Sequence, residues 1–456
     1  MSKKDEGLSR LKTGGFSRRL ELSKLGLKFG SRAIGQKLRE QFSDNDEAHQ
    51  QRRQQNIDWL IAELGKLKGS VVKIGQVMAT YGDFVLPPEV ADALHRLEDD
   101  TPPMAWSVIQ KQLHCELGAE RLAELDIDPT PLAAASLGQV HRATLKKTGA
   151  ELCIKVQYPG VDTTIDADFG AVLTLLKLSR LLESTRNIDA WFEDVRELLH
   201  KEVDYEQERR DMDFVAQKLA ADSRYIVPQS YPEYCTRRIL TMSYEASEAV
   251  ASDAVQALSQ SRRNALGRSI LGVFLNEVFC WKRLQTDPNF GNFRVRVDPQ
   301  GEQDQLLLLD FGAMRMLSEP FATEFGEMLL AAYRKDRIVF LERAISLEFM
   351  KSHFPDSVLQ NFADIGMDIA EPLRGVDDSV PSSATNSDGV YHWRQSNLPK
   401  RIAKQAMAAS LSLYFALPPK DFLYVMRKLL GVYALIAQLD AQFDGEPVLK
   451  AVCQLD

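Results

Sequence analysis

Cysteine is scarce in this sequence and poorly placed for structural work. Cys115, Cys153, Cys235, Cys280 and Cys453 are odd in number and never spaced C-x-x-C, which speaks against a disulfide framework or a structural zinc and favours a reducing compartment. The seven histidines form no H-E-x-x-H or H-x-H cluster, so no dedicated His-ligated metal is expected. Long apolar runs are missing too. The longest near-apolar stretch, Leu429 to Ala437, has half of the ~18 residues that a bilayer-spanning helix needs. A hydrophobic signal-peptide core is also absent from the N-terminal residues. These absences predict a cytoplasmic protein without a transmembrane helix, soluble or at most peripheral on the inner face of a membrane.

What remains is ordinary globular composition: 456 residues, 45% hydrophobic and 26% charged, neither collagenous nor disordered. Lys and Arg number 56 against 64 Asp and Glu, a net −8, so no nucleic-acid partner is expected. The balance is uneven. Residues 1–40 hold 11 basic and 4 acidic side chains, a net +7 that leaves the rest at −15. An arm lying on anionic lipid and a solvated tail both fit this segment, in which Gly26, Gly30 and Gly35 weaken any isolated helix.

From Ile57 the pattern turns helical: Leu60, Leu64, Leu67, Val71, Ile74 and Met78 recur at steps of three and four and share one face. Lys73 and Gln76 lie on the opposite face, which spacing alone reads as the wet side. A second helical run carries Val90, Leu94 and Leu97, and Val108 to Leu125 reads as a third. After Asp128 the character changes. Residues 139–145 and 151–156, joined by Lys146-Lys147-Thr148-Gly149, read as a β-hairpin. A long helix is expected from Asp162 to Ala220, interrupted near Ser184–Asn187. A strand follows over 238–244, then a helix from Arg262 to Phe279, a loop over 285–292, and a buried strand Leu306–Leu309. The last third reads as mainly helical, with Arg374 to Pro399 as a long polar loop. Cys280, Trp281, Phe274 and Phe279 are expected to pack in the core, and His141 to be structural.

Three segments carry chemistry when read together. Lys155 stands in the apolar strand Cys153-Ile154-Lys155-Val156, where an ammonium needs a carboxylate or a phosphate to hold. Asp287 and Asn292 are five apart in a Pro- and Gly-punctuated loop, the D-x-x-x-x-N pattern of phosphotransferases. Leu306 to Leu309 run into Asp310-Phe311-Gly312, which places a carboxylate at the rim of the core, where a hard cation finds oxygen ligands. Any one of these is a frequent accident. Their order along the chain is the one that a kinase-like fold requires.

Together with Lys73-Ile74-Gly75-Gln76, Ala133-Ala134-Ala135-Ser136 and Glu202-Val203-Asp204-Tyr205, these segments resemble the UbiB/AarF family of atypical protein-kinase-like proteins, in its coenzyme-Q-linked branch. The resemblance runs from about Ile57 to the C-terminus. It implies an α+β, two-lobed protein-kinase-like fold with a small sheet-containing N-lobe, a mainly α-helical C-lobe and an N-terminal helical extension folded over the active site. The implied divisions are 1–45 as a basic arm, 46–128 as the helical extension, 129–246 as the N-lobe and 247–456 as the C-lobe.

The resemblance also assigns roles. Lys155 would hold the α- and β-phosphates of ATP and pair with Glu208, a choice that spacing leaves open among Glu202, Asp204, Glu206 and Glu208. Ala133, Ala134, Ala135 and Ser136 would cover the phosphates, and Ser243, Tyr244 and Glu245 would meet adenine. Asp287 would stand at the catalytic position, with Asn292 and Asp310 on Mg²⁺. Lys73 and Gln76 would face Glu202 and Asp204 and block a peptide.

The departures from ordinary kinases are as informative. An alanine-rich segment replaces the glycine-rich loop, no His-Arg precedes Asp287, Asn289 stands where protein kinases carry Lys, and no Ala-Pro-Glu follows Asp310-Phe311-Gly312. All of these argue against transfer to proteins. The expected function is an ATP- and Mg²⁺-dependent atypical kinase or ATPase supporting ubiquinone biosynthesis at a membrane surface. Expected partners are prenyl-quinone precursors, anionic lipid and quinone-biosynthesis proteins. A small-molecule phosphotransferase and a nucleotide-switched, non-enzymatic adaptor are the two alternatives.

Overall fold

The computed structural model describes residues 46–67, 71, 74–75, 77–78, 86, 88–95, 103–134, 137–179, 189–377, 380–410 and 420–455. Lys73, Gln76, Ala135, Ser136 and the basic arm lie outside the described residues.

Three helices come first, α1 (Asp46–Leu67), α2 (Pro88–His95) and α3 (Trp106–Ala123). Then follow β1 (Leu125–Ala134), β2 (Gly138–Leu145), β3 (Ala150–Gln157), α4 (Val161–Leu178), α5 (Asp189–Glu202) and α6 (Tyr205–Leu219). Next are β4 (Tyr225–Ile226), β5 (Ile239–Ser243), β6 (Glu248–Ala249), α7 (Asp253–Gln256) and α8 (Gln260–Leu275). Helix α8 runs on as a π-helical turn over Asn276–Trp281. Four strands follow: β7 (Arg283–Gln285), β8 (Phe293–Arg296), β9 (Gln305–Leu308) and β10 (Met314–Met316). The remaining helices are α9 (Glu319–Tyr333), α10 (Arg337–Ser346), α11 (Asp356–Ile369), α12 (Trp393–Ser396), α13 (Leu398–Ser410), α14 (Lys420–Gln438) and α15 (Glu446–Cys453).

The chain divides into two compact units. One holds the described residues up to Arg209 together with Ser230–Tyr244, and the other holds Arg210–Gln229 with everything from Glu245 onward. In the first unit an antiparallel sheet has the order β1-β2-β3-β5. Its centre is β3, in which Leu152, Ile154 and Val156 are fully buried while Cys153 and Lys155 alternate onto the other face. The predicted helical stripe is real: Leu60, Leu64, Val71, Ile74 and Met78 are all buried, as are Val90 and Leu94 of α2. At roughly 1.5–3 kcal/mol for each large side chain taken out of water, that stripe suffices to hold helices on a core.

The second unit contains two small sheets, β4-β9-β8-β6 and β10-β7, and the C-terminal helices. Helix α14 turns Val425, Leu429, Val432 and Ile436 inward. No helix among the described residues is long and apolar enough to cross a membrane.

Three expectations are corrected. The interruption expected near Ser184–Asn187 lies outside the described residues, but the long helix also breaks between α5 and α6, because Asp204 leaves the helix and caps the next one, its Oδ1 accepting from Gln207 N at 3.0 Å. Residues 374–399 are not simply a polar loop, since Tyr391 and Trp393 within them are fully buried. Tyr391 OH donates to Glu371 Oε1 at 2.8 Å and Trp393 Nε1 to the Phe443 carbonyl at 2.9 Å, contacts that no local pattern announces. Finally, Phe274 is buried, but Cys280 is exposed: the π-helical turn changes the angular step and swings it outward.

Candidate active site

In the first unit the site is built on β3. Lys155 lies opposite Val140 of β2 and Leu240 of β5, so both neighbours fix its backbone. Its ammonium donates to both carboxylate oxygens of Glu208, at 2.8 and 2.9 Å. Lys155 keeps a fifth of its side chain exposed, whereas Glu208 is 3% exposed. The break at Asp204 makes this pair, because it restarts the helix so that Glu208 falls in the first turn of α6, where a carboxylate also suits the helix dipole. The lysine lies 4.8 Å from the ring centroid of Tyr205.

Gly138 opens β2 beneath the same corner. A Cβ there would stand 2.6 Å from the Val156 carbonyl oxygen and 2.8 Å from the Tyr205 hydroxyl, so only glycine lets the strands approach this closely. Ala133 and Ala134 are exposed and belong to the end of β1, paired with Val140 and Gln139. The alanine-rich segment therefore begins as a strand. Ser243 ends β5 opposite Leu152, and Tyr244 N continues the ladder by donating to the Glu151 carbonyl at 2.9 Å. The Arg142 guanidinium stacks 4.1 Å over the Tyr244 ring. In the second unit, Glu245 pairs with Arg296.

The other predicted residues converge in the second unit. Strands β8 and β9 form an antiparallel pair with Phe293 opposite Leu308. Residues just before β8 and just after β9 thus meet at one end, and Leu309 N donates to the Asn292 carbonyl at 2.8 Å. That register brings Asn292 beside the start of Asp310-Phe311-Gly312. Asn292 Nδ2 donates to Asp287 Oδ2 at 3.1 Å and to the Asp287 carbonyl at 3.3 Å, which closes the D-x-x-x-x-N loop on itself. Asn289, at the position of the kinase lysine, serves the turn: its Oδ1 accepts from Gly291 N at 2.8 Å.

Thr286 ties the same loop to the segment after Gly312, since its N and Oγ1 both donate to the Ala313 carbonyl, at 3.0 and 2.9 Å. Asp310 adopts a left-handed conformation, φ 60°, and its Oδ1 accepts from Gly312 N at 3.1 Å. Because Asn292 spends its NH₂ group on Asp287, its amide oxygen is the atom left for a cation. One amide oxygen and one carboxylate suit Mg²⁺, which takes few protein ligands and completes its shell with phosphate and water.

Sequence reading missed the support of this loop. Lys428, on α14, is 1% exposed and lies 5.2 Å from the Phe293 ring centroid. The available signal was a lysine flanked by the inward-facing Val425, Leu429 and Val432. Glu202 ends α5 and Asp204 caps α6, and Asp204 approaches Arg237 at 3.9 Å.

A sheet with a central lysine–glutamate pair in one unit, and in the other a D-x-x-x-x-N loop closed beside an Asp-Phe-Gly turn, define a protein-kinase-like fold. The ABC1 atypical kinase-like domain matches residues 96–343, more than half of the chain, and the chain belongs to that family of atypical kinases. Among relatives, the mitochondrial atypical kinase COQ8 of Saccharomyces cerevisiae is 30% identical over 399 residues, 87% of this chain and 76% of the yeast protein. The mitochondrial atypical kinase COQ8B of Rattus norvegicus is 29% identical, covering 85% of this chain and 70% of its own length. For the Caenorhabditis elegans relative the identity is 28% and the chain spans about half of it, 49%. Among solved structures, Rv3197 of Mycobacterium tuberculosis, determined with erythromycin, shares the fold: TM-score 0.58, 21% identity, 89% of this chain and 98% of that one covered.

Proposed function

We propose that this atypical kinase is an Mg·ATP-dependent enzyme, kinase or ATPase, that supports coenzyme Q (prenyl-quinone) biosynthesis at a membrane surface. The observation that carries the nucleotide reading is the Lys155–Glu208 pair, held by both carboxylate oxygens. A lysine oriented in this way presents its charge to α- and β-phosphates. Ala133 to Ser136 cover the phosphates and Ser243 to Glu245 meet adenine. Asp287 orients a water or a small hydroxyl, while Asn292 and Asp310 hold the cation. Bound Mg²⁺ supplies neutralisation of phosphoryl charge. Positioning and fixed dipoles supply the rest of the acceleration.

The quinone assignment is supported by the relatives of the COQ8 type. Peptides are excluded by Lys73 and Gln76 set against Glu202 and Asp204, and the basic arm provides attachment to anionic lipid. Both of these readings rest on the family resemblance and on the charge of residues 1–40.

The deciding measurement is ATP turnover by the purified chain with Mg²⁺, with and without phenolic quinone-precursor mimics and anionic liposomes. Turnover that requires Mg²⁺, rises with mimic and vesicles, and vanishes in Lys155→Met and Asp310→Asn supports the proposal. A stoichiometric phospho-product would make the acceptor a small molecule. Restored quinone levels with an inert Asp287→Asn variant would replace catalysis by a nucleotide-switched adaptor.

A further inference from the structure

Beneath the D-x-x-x-x-N loop lies a buried charged network that nucleotide chemistry does not itself require. Glu277, on the π-helical turn, is 3% exposed and Lys428, on α14, is 1% exposed. Glu277 Oε2 lies 3.5 Å from Lys428 Nζ, and Glu277 Oε1 accepts from Gln285 N at 3.4 Å. Lys428 Nζ donates to Gln285 Oε1 at 3.3 Å, and Gln285 Nε2 donates to the Asp310 carbonyl at 3.4 Å. Burying two ions costs several kcal/mol each, and an apolar pair of the same volume would serve packing at least as well. The network therefore needs a reason other than stability.

The donor inventory supplies one. A lysine ammonium only donates, so it accepts one face of the Gln285 amide and rejects the other. With Oε1 turned to Lys428, the NH₂ group of Gln285 must point at the Asp310 carbonyl. Asp310 needs that support, because a left-handed backbone is strained for a residue with a Cβ.

We propose that Lys428, held by Glu277, is a positioning residue that orients the Gln285 amide and through it sets the left-handed turn of Asp310, and so the affinity of the site for its divalent cation. The cation part rests on the role assigned to Asp310 above; the positioning part does not.

The test uses the full-length chain and two variants that leave no new unpaired charge. Glu277→Gln/Lys428→Met neutralises the pair, and Gln285→Met keeps the pair but cuts its link to Asp310. Two readouts are taken: hydrogen exchange at the Gly312 amide without nucleotide, and the Mg²⁺ concentration at which ATP half-maximally raises the melting temperature. Both variants should exchange about tenfold faster at Gly312 and need about tenfold more Mg²⁺, the loss expected for one hydrogen bond. A lowered melting temperature with wild-type exchange and a wild-type Mg²⁺ midpoint would reduce the pair to a structural one and overturn the proposal. Asp310→Asn is run alongside. An unchanged midpoint there removes the cation reading of Asp310, while the exchange rates of the other variants decide the positioning by themselves.

Discussion

Gly431 of α14 lies directly against Pro288 of the D-x-x-x-x-N loop. A Cβ added at Gly431 would overlap Pro288 Cβ and stand 2.8 Å from Pro288 Cγ. Helix propensity alone would make Gly431→Ala stabilising by about 1 kcal/mol. The rigid pyrrolidine cannot swing aside, so the loop must move instead. Gly431→Ala is expected to keep or lose little thermal stability while turnover falls by about a hundredfold, the scale of a 1 Å misplacement at a reacting centre. Wild-type turnover in this variant would show that the helix does not set the loop.

Glu208→Gln keeps the size of the Lys155 partner and removes its charge. The ammonium then loses a charge-assisted pair of bonds, each stronger than a neutral one. Affinity for Mg·ATP should fall about tenfold or more, read as a smaller rise in melting temperature at fixed nucleotide. Glu206→Gln, two residues earlier in the same first turn of α6, should leave binding unchanged, which distinguishes the pair from the general acidity of α6.

Burial pushes the Glu277 carboxyl up to about 7, outweighing the adjacent Lys428 ammonium. A carboxyl raised in the folded state binds its proton more tightly there than in the unfolded chain. Its contribution to stability is complete below the ordinary carboxylate range and is lost as pH rises through about 7. Glu277 alone should therefore lower stability by on the order of 3 kcal/mol between about pH 4.5 and 7. Urea midpoints measured across that interval should fall less steeply in Glu277→Gln than in the wild type.

His141 has the opposite sign. Gln139 Oε1 accepts from Met104 N at 2.9 Å, which turns the Gln139 NH₂ group to His141 Nε2 at 2.8 Å. Nε2 must then accept, and Nδ1 carries the proton to the Asp128 carbonyl at 2.8 Å. The neutral ring is fully satisfied, and burial lowers its pKa. The stabilisation it gives is present above the ordinary histidine value and is lost as pH falls below it. Unfolding of His141→Gln between about pH 6.5 and 5 should be flatter with pH than that of the wild type. An identical slope would show that His141 is charged in the folded protein.

Much of this was legible in one dimension. The helical stripe of Leu60 to Met78, the hairpin around Lys155 and the run into Asp310 rest on periodicity, and each appears where periodicity put it. The break at Asp204 was not legible. Ser, Thr, Asp and Asn act as caps only where the chain turns, and Glu202-Val203-Asp204-Tyr205 reads equally well as continuous helix. The burial of Tyr391 and Trp393 escaped for a related reason: their polar neighbours describe the local segment, whereas their partners Glu371 and Phe443 come from elsewhere.

By itself, the amino-acid order determined which side chains are the candidates for chemistry, since motif spacing and hydrophobic period are properties of a few consecutive residues. Only the tertiary structure decided which acid Lys155 takes as its partner across 53 residues, and that Lys428 reaches Gln285 across 143. Pairing and burial depend on the path of the backbone between distant segments, and no local pattern encodes that path.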